Sequence, residues 1–238
     1  SHMSRLSKTR IQYHRQCPRR LWLQAYRPQL AKVDPAIQRR FDAGNQVGES
    51  ARAFHPDGVL IEAPSGAQQL AETKRILSGA PRPIFEATFE AEGLLVRADL
   101  LLPDADGYRM VEVKSSTTVE PHHLEDVAIQ YWVAHQSGVP ITSVNVACID
   151  TTFVYQGDGN YAGLLKQVDV SVKARALESK VPGWIHAARQ TLAGDEPIIE
   201  VGKQCRSPHR CPFLDACTAE SPRSKTLYPL EILPYVGK

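Results

Sequence analysis

The sequence lacks the marks of several protein classes. It has no long unbroken apolar run and no basic-then-apolar leader, so we expect no membrane span and no secretion. Gly and Pro together make up 32 of 238 residues, too few for a fibrous or low-complexity chain. Five cysteines are too sparse for a disulfide scaffold. We therefore expect a soluble, cytoplasmic protein with no membrane partner, in which residues 1–3 are a cloning remnant.

The remaining composition is that of a folded chain with an uneven charge distribution. Hydrophobic residues account for 42% and charged residues for 23%, enough to bury a sizeable core. Residues 1–40 hold ten Lys and Arg against one acid, a charge of +9, whereas the other 198 residues hold 18 basic and 25 acidic groups, a charge of −7. A basic arm on an acidic body favours a polyanionic partner, DNA or RNA, unless these arginines only solubilise helix surfaces.

The hydrophobic period predicts an α/β fold with a central mixed sheet flanked by helices. The two terminal segments are expected to form a small helical accessory layer. We predict a basic helical segment over 4–56, a core over 57–195 and a cysteine-rich tail over 196–238. Strands are predicted at 58–62, 84–90, 94–102, 108–117, 141–150 and 152–155. Helices are predicted from Asp34-Pro35 to about residue 55 and over 65–77, 121–136 and 171–192.

Two carboxylates and a lysine are concentrated on the predicted central strands. Asp99 lies late in one strand, and Glu112 and Lys114 lie two residues apart on the next, so both face the same side of the sheet. A hairpin can bring Asp99 beside Glu112, where hard oxygen ligands and the Val113 carbonyl would bind Mg²⁺ or Mn²⁺. The lysine would then orient a water and stabilise developing negative charge. A structural ion pair is the alternative for Glu112 and Lys114.

This pattern resembles the PD-(D/E)xK nuclease superfamily, with Asp99 as the acid and Glu112-Val113-Lys114 as the E-x-K triplet. The resemblance implies a restriction-endonuclease-like core. Its RecB-like branch carries a glutamine on the following helix, where this chain has Gln130. That branch commonly has a tyrosine four residues later, a position held here by Ala134. It often has a histidine on the early helix, where Glu49 is either an additional acidic metal ligand or an exposed helix glutamate.

One cysteine near the start and three near the end resemble the iron–sulfur members of that branch, which include the small exonucleases associated with CRISPR adaptation and the AddB nuclease domain. The resemblance implies a structural [4Fe–4S] cluster held by the following residues: Cys17, Cys205, Cys211 and Cys217. Five residues separate Cys205 from Cys211, where those families tend to have two. Three alternatives remain: zinc in place of the cluster, replacement of one cysteine ligand by His209, or four unrelated buried thiols. Cys148, in an alternating apolar stretch, is predicted to be a small buried hydrophobe.

Together these features predict a metal-dependent DNA nuclease, most simply an exonuclease on single-stranded or unwound ends. Arg15, Arg19 and Arg20 are expected to contact backbone phosphates. Trp22, Tyr26 and Tyr131 are expected either to stack on bases or to pack in the core. The resemblance extends to functions in CRISPR adaptation and DNA repair, with protein partners in a larger processing complex. A non-catalytic nucleic-acid-binding module with a metal-stapled fold is the alternative, and an enzyme acting on RNA or another phosphoester is a weaker one.

Overall fold

A computed structural model describes residues 6–221. The predicted cloning remnant and positions 222–238 of the predicted tail lie outside the described residues. Within them the chain folds around one open six-stranded sheet in the order β1-β2-β3-β4-β5-β6. The β1–β2 and β4–β5 pairs are parallel and the other pairs are antiparallel, so the sheet is mixed. The strands are β1 (Val59–Leu60), β2 (Ile84–Ala91), β3 (Leu94–Asp104), β4 (Gly107–Val113), β5 (Ile141–Ile149) and β6 (Leu165–Asp169).

Helices flank this sheet, which confirms the predicted α/β class. Their bounds are α1 (Lys8–Gln16), α2 (Pro18–Tyr26), α3 (Pro35–Ala53), α4 (Gly66–Leu77), α5 (Pro121–Gln136), α6 (Ser171–Glu178), α7 (Val181–Ala193) and α8 (Leu214–Glu220). None of the helices in residues 6–221 is both long enough and apolar enough to cross a bilayer.

Helix α5 is the centre of the larger core. It is buried without interruption over 126–134, because it packs on the sheet and is also in contact with α1, α6 and α7. On the sheet this core includes Leu101 and Met110, whereas the neighbouring residues Leu100 and Val111 belong to a smaller cluster beside α3. The alternation of β3 and β4 therefore gives each face of the sheet its own apolar layer. Cys148, predicted to be a buried hydrophobe, is fully buried in the larger core.

Several predicted element bounds were wrong. Residues 152–155 form a turn and an irregular segment rather than a strand, because the Asp150 side chain accepts hydrogen bonds from the Thr152 N–H and hydroxyl. Strand β6 was not predicted, and β4 ends at Val113 rather than at 117. The single helix predicted over 171–192 is two helices, separated at 179–180 just before Pro182, whose ring and missing N–H prevent the helix from continuing.

The two terminal segments pack against each other beside the sheet. The Gln16 side-chain amide donates to the backbone carbonyls of Gln204 and His209, at 2.7 and 2.8 Å. The Lys32 N–H donates to the Pro212 carbonyl at 2.9 Å. These bonds join residues nearly a whole chain apart, and they form the accessory layer predicted from the sequence.

Helix α3 begins at an Asp-Pro pair whose contribution to stability can be measured. Asp34 Oδ1 accepts a 2.9 Å hydrogen bond from the Ile37 N–H and so caps the helix. Asp34→Ala should lower the free energy of unfolding by about 1 kcal/mol in urea titrations. Asp42→Ala, which removes an exposed carboxylate from the same helix, is the control and should change it by less than about 0.5 kcal/mol. Equal losses in both variants would contradict a capping role.

Candidate active site

Three acidic residues lie in a row across three neighbouring strands. Glu86 lies between the paired residues Phe85 and Ala87 of β2, level with Asp99 of β3, and Asp99 and Glu112 lie just beyond the Leu100–Val111 pair of β3 and β4. Asp99 Oδ2 accepts a 2.8 Å hydrogen bond from the Val113 N–H, which leaves Oδ1 for another ligand. Burial raises the pKa of Asp99 well above its usual range, and the nearby Glu112 carboxylate raises it further. Two carboxylates therefore meet at the position that the hairpin predicted.

Glu86 is held in this row by an unusual backbone conformation. Its φ of 58° lies in the left-handed region, which is rare for a residue with a side chain and costs about 1 kcal/mol or more. Burial raises the pKa of the Glu86 carboxyl, with Glu112 as the next cause. Strain of this kind is concentrated at functional sites, where the surrounding structure holds it in place.

Glu112 is almost fully buried, and its carboxylate is contacted by the amines of Lys8 and Lys114 and by the side-chain amide of Gln130. Lys114 Nζ lies 3.1 Å from Glu112 Oε1 and 2.6 Å from Asp126 Oδ2, so it bridges the strand and α5. Burial alone would lower the pKa of Lys114, but the two carboxylates raise it overall. The structure thus contains the Glu112–Lys114 ion pair that the sequence allowed, in the same place as the predicted metal site.

A second lysine reaches this pair from the N-terminal helix. Lys8 Nζ lies 2.8 Å from Asp126 Oδ1 and 3.5 Å from Glu112 Oε1. Burial alone would raise the pKa of Asp126, yet Lys8 and Lys114 hold it far below its usual range. Asp126 is therefore a buried carboxylate that fixes two ammonium groups beside Glu112.

Gln130 completes the link between α5 and the sheet. Its Nε2 donates to Glu112 Oε2 at 2.7 Å and to Asp126 Oδ1 at 3.0 Å. The whole side chain is buried, and Oε1 has no hydrogen-bond partner among the described residues. Because Gln130 is one turn beyond Asp126 on the same helix, its amide can contact Asp126 while it also donates to Glu112.

The acidic row opens into a cavity of about 380 Å³, hereafter the carboxylate cavity. Lys8 and Lys114 form ion pairs with Glu112 and Asp126. Asp99 and Glu86 face Arg52 on the cavity wall, and Arg97 also acts on the Glu86 carboxylate. Glu49 and Val113 line the same cavity. An excess of negative charge on half-buried carboxylates, with a free carboxylate oxygen, suits a hard divalent cation, so the residues present fit Mg²⁺ or Mn²⁺.

The early helix contributes a wall to this cavity. The wall includes Gly44 and Gly48, and a side chain at Gly44 would meet no atom within 4 Å, so these small residues leave space beside the acids. Glu49 is exposed on the same helix, on the rim of the cavity. Its position is compatible with either of the two roles considered from the sequence.

The four predicted cluster cysteines line one small common cavity. Cys17 is the N-cap residue of α2. Burial raises the pKa of Cys217 to about 11, and Arg19 opposes that rise. Leu23 and Phe213 pack with Cys211 in a small apolar cluster of their own. A donor set of four thiols in one apolar cavity fits a sulfur-ligated metal centre.

In the described part of the chain, no three cysteine sulfurs lie within 4.8 Å of one another. Iron–sulfur clusters and zinc both take thiolate ligands, so the donor set fits either occupant considered from the sequence. His209 lies outside the cysteine cavity and contacts the His122 ring at 5.3 Å between centroids.

The residues predicted to contact nucleic acid are dispersed. Arg15 is exposed and paired with Glu125, whereas Arg19 pairs with Glu196 and Glu220 inside the accessory layer. Arg20 faces a second, larger cavity between α1, α3 and α5.

The three predicted aromatic residues lie apart from both cavities. Trp22 packs on the Tyr26 ring and donates to the Gly194 carbonyl, Tyr26 is half exposed, and Tyr131 is buried in the larger core. In this conformation the structure does not bring Arg19, Trp22, Tyr26 or Tyr131 to the acidic row.

Lys8, Glu86 and Asp126 were missed from the sequence. Asp126 carried a usable signal, since it stands four residues before Gln130 on a predicted helix. The sequence carried no such signal for the other two residues. The role of Lys8 depends on a contact between distant segments, and that of Glu86 depends on its own left-handed backbone conformation.

The comparisons with known proteins add no function. No protein-family model matches this chain, and no curated protein matches it. A solved structure described as "Crystal structure of SSO0001" superposes with a TM-score of 0.45 at 15% identity, covering 93% of this chain and 89% of that one. This similarity carries no statement about activity.

Proposed function

We propose that this protein is a divalent-metal-dependent deoxyribonuclease that hydrolyses phosphodiester bonds, acting as an exonuclease at single-stranded or unwound ends. The observation that supports the proposal is the acidic row of Glu86, Asp99 and Glu112, with its excess negative charge, beside the amine of Lys114. The resemblance of Asp99 and the Glu112-Val113-Lys114 triplet to the PD-(D/E)xK pattern gives the same reaction class.

The contacts of each residue indicate its role in the proposed reaction. Asp99, Glu112 and the Val113 carbonyl would hold Mg²⁺ or Mn²⁺, with Glu49 as an additional ligand at the rim. When bound, such an ion polarises the phosphodiester and lowers the pKa of a water molecule. Lys114 donates hydrogen bonds, so its role is to orient the attacking water and to stabilise negative charge that develops on the phosphate.

Asp126, Gln130 and Lys8 act as positioning residues. They contact Glu112 or Lys114 directly and fix these side chains between the sheet, α5 and α1. A site whose reactive groups are held by buried partners keeps its geometry without substrate, which is what electrostatic stabilisation requires.

The cysteine group would hold a structural [4Fe–4S] cluster as part of the same proposal. The cluster would join α2 to the residues around α8. Its role is mechanical in this proposal, with no electron transfer during hydrolysis.

Cleavage of end-labelled DNA tests the proposal directly. Single- and double-stranded substrates should be cut with Mg²⁺ or Mn²⁺ and remain intact in EDTA. Lys114→Ala should lower the rate about 100-fold without loss of DNA binding, because it removes transition-state stabilisation rather than the binding surface. Lys166→Ala, an exposed lysine on β6, is the matched control and should cleave at the wild-type rate.

Two results would contradict the nuclease. Binding of DNA by the wild type without any metal-stimulated cleavage would identify a binding module instead. Equal cleavage rates for Lys114→Ala and Lys166→Ala would show that Lys114 takes no part in the reaction.

A further inference from the structure

A second cavity of about 740 Å³, hereafter the basic cavity, lies next to the acidic row. Its walls come from α1, α2, α3, the start of α5 and the loop that contains His209. Lys114 and Asp126 also line it, and Lys114 contacts Glu112 on the carboxylate cavity. A ligand in the basic cavity is therefore adjacent to the proposed catalytic groups.

Most cations in this cavity have a carboxylate partner, but two arginines do not. Lys8 and Lys114 pair with Asp126, and Arg15 pairs with Glu125. Among residues 6–221, neither Arg20 nor Arg40 forms an ion pair with an acid. Both arginines line the basic cavity without a carboxylate partner among the described residues, and Arg20 also borders the cavity of the four cysteines.

Arg20 is held in place by neutral groups. Its guanidinium lies 4.0 Å above the Tyr13 ring, and its Nη1 donates to the Gln16 side chain. Its buried Nε has no hydrogen-bond partner among the described residues. An unpaired buried donor on a charged, preorganised guanidinium is a binding element for an oxyanion.

Arg40 is close enough to Arg20 for the two charges to repel. Both arginines line the basic cavity, and burial lowers the pKa of Arg40, with Arg20 as the next cause. The acid that acts on Arg40 is Asp34, whose carboxylate caps α3 instead of forming an ion pair with the guanidinium. An anion between the arginines would convert this repulsion into two attractions.

The histidines of the cavity favour an anion over a metal ion. Glu120, His122 and His123 have ligand atoms within 4.8 Å of one another. However, His123 Nδ1 already accepts a 3.0 Å hydrogen bond from the Glu120 N–H, so the neutral ring carries its proton on Nε2. A protonated Nε2 donates to an oxyanion and cannot ligate a metal.

We propose that the basic cavity binds the terminal phosphate of a nucleic-acid strand through Arg20 and Arg40, with His123 as a neutral donor. A phosphate monoester carries about −1.5 to −2 charges at pH 7, which matches two unpaired arginines better than a diester with one charge. The phosphate class follows from the cavity itself, whereas the assignment to a nucleic acid rests on the proposed nuclease function. A strand anchored here would have its nearby phosphodiesters beside Lys114.

Equilibrium binding in EDTA separates this proposal from cleavage. Labelled oligonucleotides of one sequence would carry a 5′-phosphate, a 3′-phosphate or only hydroxyl ends. One of the two phosphates should tighten binding about tenfold, and inorganic phosphate should compete for that gain. Arg40→Gln should abolish the gain, whereas Arg39→Gln, its exposed neighbour on α3, should retain it. Circular dichroism and inorganic-phosphate shifts of Tm verify folding and phosphate binding in both variants.

Three outcomes would overturn the proposal. In the first, a terminal phosphate does not change the affinity for the oligonucleotide. In the second, Arg40→Gln and Arg39→Gln lose affinity equally. In the third, inorganic phosphate raises the Tm of Arg40→Gln as much as that of the wild type. Phosphate-dependent binding without metal-dependent cleavage would support this site while refuting the nuclease. Metal-dependent cleavage without any preference for a terminal phosphate would support the nuclease while refuting this phosphate site.

Discussion

Asp99→Asn is expected to abolish metal-dependent cleavage and, in EDTA, to raise the Tm of the protein. The asparagine keeps the shape and can still accept the Val113 N–H bond, but it removes one negative charge from the acidic row. Losing a carboxylate ligand should cost several kcal/mol of transition-state stabilisation, about 10³-fold in rate. Removing a charge that is desolvated and repelled by Glu112 should raise Tm by about 3 °C, the shift expected for about 1 kcal/mol in a chain of this size.

The gain in stability should depend on pH with a defined sign. Burial and Glu112 raise the pKa of Asp99 in the folded state, so protonation favours folding and stability is lost as the pH rises through that folded-state pKa. The Asp99→Asn variant has no carboxyl group to ionise at this position, so it does not lose this stability as the pH rises. Its Tm advantage in EDTA should therefore grow from acidic pH toward pH 8, as thermal unfolding at a series of pH values would measure.

Asp104→Asn provides the control on the same strand. Asp104 is exposed and accepts hydrogen bonds from the Thr142 hydroxyl and the Ala105 N–H, so its pKa is lowered and its charge is favourable. Its variant should cleave normally and show no rise in Tm. A lower Tm for Asp99→Asn at pH 8 in EDTA would mean that the acidic row is not under electrostatic strain.

The parts of the site that the sequence predicts are those that local periodicity determines. Asp99 and Glu112 could be placed side by side because a short hairpin loop fixes the register of β3 and β4. The face shared by Glu112 and Lys114 follows from the alternation of one strand. Gln130 could be placed on the following helix only through the family resemblance, since its contact with Glu112 is a tertiary one.

The remaining parts depend on packing between distant segments. Lys8 reaches Asp126 because α1 packs on α5, and no local pattern in either helix specifies that contact. Glu86 enters the acidic row through one left-handed residue in an otherwise regular strand, which a period-two pattern does not reveal. The break before Pro182 could have been predicted, since a proline close to a helix start carries a clear local signal.

Cys211→Ala should remove the metal centre and destabilise the protein more than any other single change proposed for it. A ligand set of Cys17 with three C-terminal cysteines closes a loop of nearly the whole chain, and closing a loop of more than 100 residues is worth about 5 kcal/mol. For a chain of this size that loss corresponds to a fall in Tm of about 10 °C or more. Anaerobic purification, metal analysis and thermal unfolding measure both effects.

Cys148→Ala is the matched control, because Cys148 is also buried but lies on β5 in the larger core. It should keep its iron and lose only about 1 kcal/mol of stability, the cost of a small cavity. Iron near four per chain in the wild type, absent from Cys211→Ala, would support the cluster, whereas one zinc per chain would contradict it. If the cluster only joins the terminal segments, reduction of the intact protein should leave the cleavage rate unchanged, and a redox-dependent rate would assign it a second role.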